Sequence, residues 1–225
     1  MKFRYISGIT VLFFLTALFV GVYCKASYRD FNSEDIPLEH FVVGLITDEF
    51  LDGQLNEMEE YLESSPMIIA VQCQEKFTYR FSCVTQKVIV NHVFKGENLK
   101  EGDCIEIARD GSAIFADEES LINGKPSINM EFVNEMIPEK EYLVYLDHKL
   151  ETYDESNIYV QGSEFVLAPI FCYEKTQSIA CESIDEDGAF ANYEDVEENE
   201  FFIMSDNAAV KLQDFKERLF QKYNY

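Results

Sequence analysis

The sequence predicts a mainly β protein of α+β class: an OB-like Greek-key β-barrel with flanking helices, preceded by one transmembrane helix. Three observations carry this prediction. Phe81 to Gly96 has no Pro and no internal Gly, is dense in β-branched and aromatic residues, and stops at a Lys-Gly turn signal. It reads as a strand far longer than the roughly five or six residues of a typical one, long enough to bend between two halves of a small barrel. Met67–Cys73 and Glu141–Leu146 are apolar runs of strand length, the second apolar on both faces as in a strand covered on both sides. Ile6–Cys24 is a run of 19 residues without a charge.

The N-terminal run comes first in the chain. As a helix it is about 28 Å long, close to the roughly 30 Å hydrocarbon thickness of a bilayer. Cleavable signals have apolar regions of about 7–15 residues. Length therefore favours an uncleaved anchor over a cleaved signal, although Cys24 and Ala26 are small enough for the −3 and −1 sites. Val22 and Tyr23 are too large for a lipoprotein signal. Lys2 and Arg4 on one side nearly balance Lys25 and Arg29 on the other, while the short flank and the acidic body suit a single-pass protein of the cell membrane with its body extracytoplasmic. No Asn-x-Ser/Thr sequon occurs, which fits a bacterial surface protein. The expected organisation is an anchor or signal over 1–26, a linker over 27–40, and one OB-like domain over 41–225 with its barrel core at about 65–173.

Within the body, Phe41–Ile46 reads as a short strand. Asp52–Ser64, with Leu55, Met58, Tyr61 and Leu62 three and four apart, reads as an amphipathic helix ended by Pro66. Cys104–Ala108 alternates as a strand. Asp110–Pro138 is an elaborated loop or carries a short helix at Met130–Met136. Asn157–Val160 and Glu164–Tyr173 read as further strands, and Ile179–Cys181 is expected to close a hairpin with Phe171–Tyr173. The chain ends in a helix capped by Ser205 or Asp206, with Ala208, Leu212, Phe215, Leu219 and Tyr223 on one stripe. Five or six strands, the second much the longest, with a long insertion between the third and fourth, suit a Greek-key barrel of the OB type.

Composition narrows the function classes. The 42 acidic against 18 basic residues give a formal charge of −24, which repels phosphate backbones and argues against nucleic acid as a partner. The sequence has no Gly-x-Ser-x-Gly elbow, phosphate-cradling Gly loop or His-Glu-x-x-His helix. No catalytic residue, cofactor or enzymatic activity is expected.

Four segments resemble netrin-like domains of the tissue-inhibitor-of-metalloproteinases type, as carried by bacterial membrane-anchored proteins. They are Ser65–Val71 as the opening strand, Val93-Phe94-Lys95-Gly96 closing the long strand, Gly102–Ile107, and Pro138–Leu146. The resemblance covers roughly residues 65–170. It implies an extracytoplasmic OB-type interaction module. Animal inhibitors of this type chelate a protease zinc through an N-terminal Cys followed by a second Cys two positions on. Here Cys24 is followed by Lys25 and Ala26, so that mechanism does not carry over.

Among candidate sites, Cys73 and Cys83 flank one turn and Cys172 and Cys181 another. Each pair is a candidate cross-hairpin disulfide or a pair of small buried hydrophobes. Ser183–Glu194 aligns with a twelve-residue calcium loop through Asp185, Asp187, Gly188 and Glu194, but Ser183 stands where Asp is most needed; a solvated acidic loop is favoured. His92 and His148 could share a site, or, with His40, be isolated structural histidines. The function expected is a non-enzymatic, membrane-anchored binding module for an unidentified protein or surface ligand. The alternatives are a calcium-dependent adhesion or sensing domain, and a protease inhibitor or hydrolase.

Overall fold

Side-chain alternation along two strands decides the architecture. In β2 (Met67–Cys73), Met67, Ile69, Val71 and Cys73 join one apolar cluster and Ile68 joins another on the opposite face. In β7 (Glu141–Lys149), Tyr142, Val144 and Leu146 join the first cluster, and Leu143 and Tyr145 the second. The first cluster fills a barrel. The second lies between the barrel wall and two helices.

The computed structural model describes the chain apart from residues 1, 28–30, 34–36, 81–82, 111–120, 153–155, 163–166 and 186–187, and apart from the side chains of 2–7, 9, 26–27, 56 and 110. The chain divides into two units, Met1–Pro37 and Leu38–Tyr225. The first contains helix α1 (Lys2–Ser27). Among the described residues, no helix is long and apolar enough to cross a membrane, so the expected span is not found.

The second unit opens with β1 (Val42–Gly44), which pairs with β10 (Phe190–Asn192) and β6 (Ser127–Ile128) in a small separate sheet. Helix α2 (Asp48–Ser64) follows, one turn longer at its start than periodicity predicts, because the Thr47 hydroxyl caps it by accepting the Phe50 N–H at 3.3 Å.

The barrel strands then run in sequence. β2 pairs antiparallel with β4 (Cys83–Lys95), and β4 with β5 (Cys104–Asp110); the two-residue β3 (Thr78–Tyr79) folds back on β4. β7 returns to lie antiparallel to β2, β8 (Ile158–Gln161) runs antiparallel to β7, and a parallel β8–β5 pair closes the ring. The spatial order β7-β2-β4-β5 is a Greek key. β4 pairs with β5 through its first half and with β2 through its second, and two register shifts bend it between them. Just past β4, Gly96 takes φ +122° against Met67, where a Cβ would lie 2.9 Å from Met67 Cγ; only glycine fits.

Helix α3 (Asp206–Lys222), capped by Ser205 accepting the Ala208 N–H at 3.0 Å, buries Ala208, Leu212, Phe215 and Leu219 against Leu51, Met58 and Leu62 of α2 and the outer barrel wall. Four polar contacts join the helices at a constant offset of 159 residues: Asp48–Asn207, Asp52–Lys211, Glu59–Arg218 and Glu63–Lys222. A constant offset requires the two helices to run parallel and in step.

One pair of alternatives is decided and one expectation is corrected. Met130–Met136 carries no helix: Glu131 and Phe132 form a turn at φ 49° and 58°, and the rest is irregular. β9 (Ile170–Cys172) pairs with β7 rather than with Ile179–Cys181; the latter segment bonds instead to Asn199 and Ile203.

Candidate functional site

At one end of the barrel, Met130–Lys140 crosses the mouth without regular secondary structure, and buried side chains satisfy its backbone. Period-2 alternation from Ile105 and Ile107 turns Arg109 inward, where it is 4% exposed. Its guanidinium donates to the carbonyl oxygens of Met130 (2.6 Å), Val133 (2.7 Å) and Asn134 (2.9 Å) and lies 5.5 Å from the Phe77 ring. Burial pushes Arg109 down to about 10, with Glu131 and Glu135 opposing the shift; the group stays charged at neutral pH. From the same face of β4, Gln86 donates to the Met136 carbonyl (2.8 Å) and accepts the Met136 N–H (2.9 Å). The Asn134 amide donates to the carbonyls of Glu197 and Asn199, while its oxygen accepts the Tyr193 hydroxyl at 2.9 Å. The segment is therefore fixed at both ends by side chains whose polar groups are spent on it.

Beside it lies a cleft of about 350 Å³, floored by Tyr142, Ile170 and Cys172 and walled by 133–140, 175–179 and 198–200. Ile137 and Ile179 line it although they are 45% and 63% exposed. The Tyr142 hydroxyl accepts the Ile137 N–H at 2.7 Å, and burial, followed by Cys172, pushes it up. Burial, followed by Glu200, likewise raises the Cys172 thiol and keeps it protonated. The Glu135 carboxyl, which accepts the Phe77 N–H at 3.2 Å, is also raised by burial.

Behind the cleft, Glu200 meets Lys216 of α3 at 2.5 Å, with side chains only 6% and 2% exposed. Glu200 also accepts the Cys172 N–H at 2.7 Å and contacts the Thr176 hydroxyl. Lys216 donates to Thr176 Oγ1 (2.9 Å) and to the Glu174 carbonyl (3.2 Å). Both charges are saturated, as a buried pair requires. Apolar rims, a buried carboxyl and amide groups make this cleft suited to holding a ligand.

Cys73, Cys172 and Cys181 are in no disulfide, so neither the Cys73–Cys83 nor the Cys172–Cys181 bridge is present in the structure. Cys73 sits opposite Val88, and Cys83 opposite Asp110 on the other side of β4. The reason is register: β3 takes up part of the 74–82 connection, so the two cysteines are not cross-strand neighbours. Cys73 packs inside the barrel, where burial pushes its thiol up to about 12. Cys172 lies on the barrel floor and Cys181 near Ile203.

Of the calcium-loop residues, Asp187 lies outside the described residues. Glu194 pairs with Lys125 at 2.8 Å. The Ser183 hydroxyl lies 2.8 Å from the Gly188 carbonyl and accepts the N–H groups of Asp185 and Phe190, tying the loop by itself. No group of His, Cys, Asp or Glu among the described residues is arranged to hold a metal ion. His92 pairs with Glu101 and stacks on Tyr225, whereas His148 pairs with Asp147; the two have separate partners.

The residues that build the cleft's support were legible only in part. Arg109 and Gln86 fall on inward positions of alternating strands, and Lys216 falls within the α3 stripe, so a polar residue at an apolar position was the available signal. Asn134, Glu135 and Glu200 carry no local signal. The chain matches no family model and no curated protein.

Proposed function

We propose that the protein is a non-enzymatic binding module, anchored to the cell membrane by its N-terminal helix with the body extracytoplasmic, and that the cleft between Ile137 and Ile179 receives its partner. The body is read as a netrin-like barrel of the OB type. The observation that carries the reading is the pairing of two exposed isoleucines across one cleft whose wall is held by the Gln86, Arg109 and Asn134 hydrogen bonds. Isolated exposed apolar residues need no explanation, but two on one concave, rigidly supported surface suit an interface anchor. For the anchor, support comes from the uncharged run Ile6–Cys24. The described α1 side chains are also apolar and exposed around the helix, from Val11, Leu12 and Phe13 to Val22 and Tyr23. Such a helix suits a non-aqueous surrounding.

Two experiments test this. Partner capture from detergent-solubilised cells should be abolished by Ile137→Asp with Ile179→Asp, with the melting temperature unchanged; capture unaffected by both changes would sink the cleft. Cys104 is exposed, so a membrane-impermeant maleimide should label it on intact cells. Labelling only after lysis would place the body inside.

A further inference from the structure

The opposite end of the barrel carries a second, larger concavity of about 710 Å³. Its floor is apolar: Met67, Leu99, Ile105 and Tyr159 belong to the barrel-interior cluster and also line the cup. Its rim carries three carboxylates, Glu97, Asp103 and Asp147. Asp103 accepts the Lys100 N–H through Oδ2 at 2.8 Å, which holds the carboxylate in place on the β4–β5 turn. Asp147 meets His148 Nδ1 at 2.9 Å. The cation in the wall, Lys149, donates to Asn157 at 2.7 Å.

Tyr159 supplies the independent observation. It is only 4% exposed, yet its hydroxyl makes no hydrogen bond among the described residues, while the other buried phenol lining a cleft, Tyr142, has a backbone partner. The Tyr145 hydroxyl also lacks a partner, but it is sealed within the core under the helices. The Tyr159 side chain instead lines the cup. Asp103 and Tyr159 both line this cup, and burial, followed by the Asp103 carboxylate, raises the Tyr159 hydroxyl. A phenol buried around its ring, with an unpartnered hydroxyl at a cavity, presents a polar group that something outside the fold can complete.

We propose that this cup binds a primary alkylammonium group, its alkyl chain on Met67, Leu99 and Ile105 and its ammonium between the Asp103 carboxylate and the Tyr159 hydroxyl. An ammonium supplies donors to both oxygens, and an anion would face three carboxylates. The chain's −24 charge draws cations toward it. The site shares no residue with the Ile137–Ile179 cleft and stands or falls without it.

The test uses the full chain in detergent micelles, titrated by calorimetry with 1,5-diaminopentane and, separately, with Nα-acetyl-lysine methylamide, at matched ionic strength. Saturable binding of the diamine is expected, weakened about tenfold by Tyr159→Phe and by Asp103→Asn, the loss of one hydrogen bond to a charged group. The Asp103→Asn change leaves an amide oxygen as acceptor for the turn, and the phenol has no partner to lose, so both variants should melt as the wild type does. Binding of the lysine derivative as well assigns the amine to a partner's side chain; binding of the diamine alone assigns it to a free solute. Binding of neither, or affinities unchanged in both variants, overturns the proposal. The Ile137→Asp/Ile179→Asp variant should bind the diamine as tightly as the wild type.

Discussion

The two ends of the barrel are built from the same strands and treat polar groups in opposite ways. At the end crossed by Met130–Lys140, Arg109, Gln86 and Asn134 are buried and their partners are all inside the protein. At the other end, Tyr159 is equally buried but leaves its hydroxyl unpaired beside a rim of carboxylates. A satisfied buried group explains itself as structure, whereas a hydroxyl that opens onto a cavity without a protein partner is available to a ligand. The comparison also separates two kinds of stability. The crossed end should be sensitive to the loss of single polar side chains, and the open end should not.

The largest effect should come from Lys216. Lys216→Met leaves Glu200 charged and buried beside the crossed end, and should cost ~3–5 kcal/mol in urea denaturation. Adding Glu200→Leu should recover most of it. A double variant as unstable as the single one would mean the pair's neighbours, not its charges, hold α3 in place. Arg109→Met strands three buried carbonyls and should cost ~3 kcal/mol, with faster proteolysis within 130–140.

Next comes the pH dependence of Glu135. Its carboxyl is raised by burial, so the folded state takes up a proton relative to the unfolded chain. The linked stability is fully present below the ordinary value of 4.5 and is lost as pH rises through the raised value. Glu135→Gln keeps an acceptor for Phe77, so the variant should gain on the wild type as pH rises above the ordinary value of 4.5; parallel curves would remove the burial argument.

Thiol labelling sharpens the contrast without any mutation. In the native protein Cys104 should react while Cys73 and Cys172 stay protected, and unfolding without reductant should expose both. A Cys73 or Cys172 still unlabelled after unfolding would restore a disulfide. The smallest effects lie outside the crossed end: Lys211→Ala should cost ~0.5 kcal/mol, less in high salt, and Tyr159→Phe should stay within about 0.5 kcal/mol of wild type.

Much of this was legible in the chain. Apolar runs at Met67–Cys73 and Glu141–Leu146, the long strand, and the stripes of α2 and α3 reappear as elements with the expected buried faces, except that Tyr61 of the α2 stripe is exposed. The disulfide pairings were not legible. Ten positions between Cys73 and Cys83 suggest a shared face, but β3 inserts in that connection and moves the register so that Val88 faces Cys73. The crossing segment was missed for a related reason: Glu131 and Phe132 adopt left-handed backbone angles, which no local pattern of these residues demands and which Arg109 stabilises from 21 to 25 positions away.

Local chemistry by itself determined which stretches are strands, which are helices, where α3 begins, and which face of each is apolar. Periodicity of two or 3.6 residues is written within a few neighbours. Barrel closure by the parallel β5–β8 pair, the step-matched α2–α3 contacts, the clamp on 130–134 and the unpaired Tyr159 were decided only by the tertiary structure. Each joins residues far apart in sequence, and a buried polar atom's partner is set by which distant backbone or side chain packing brings to it.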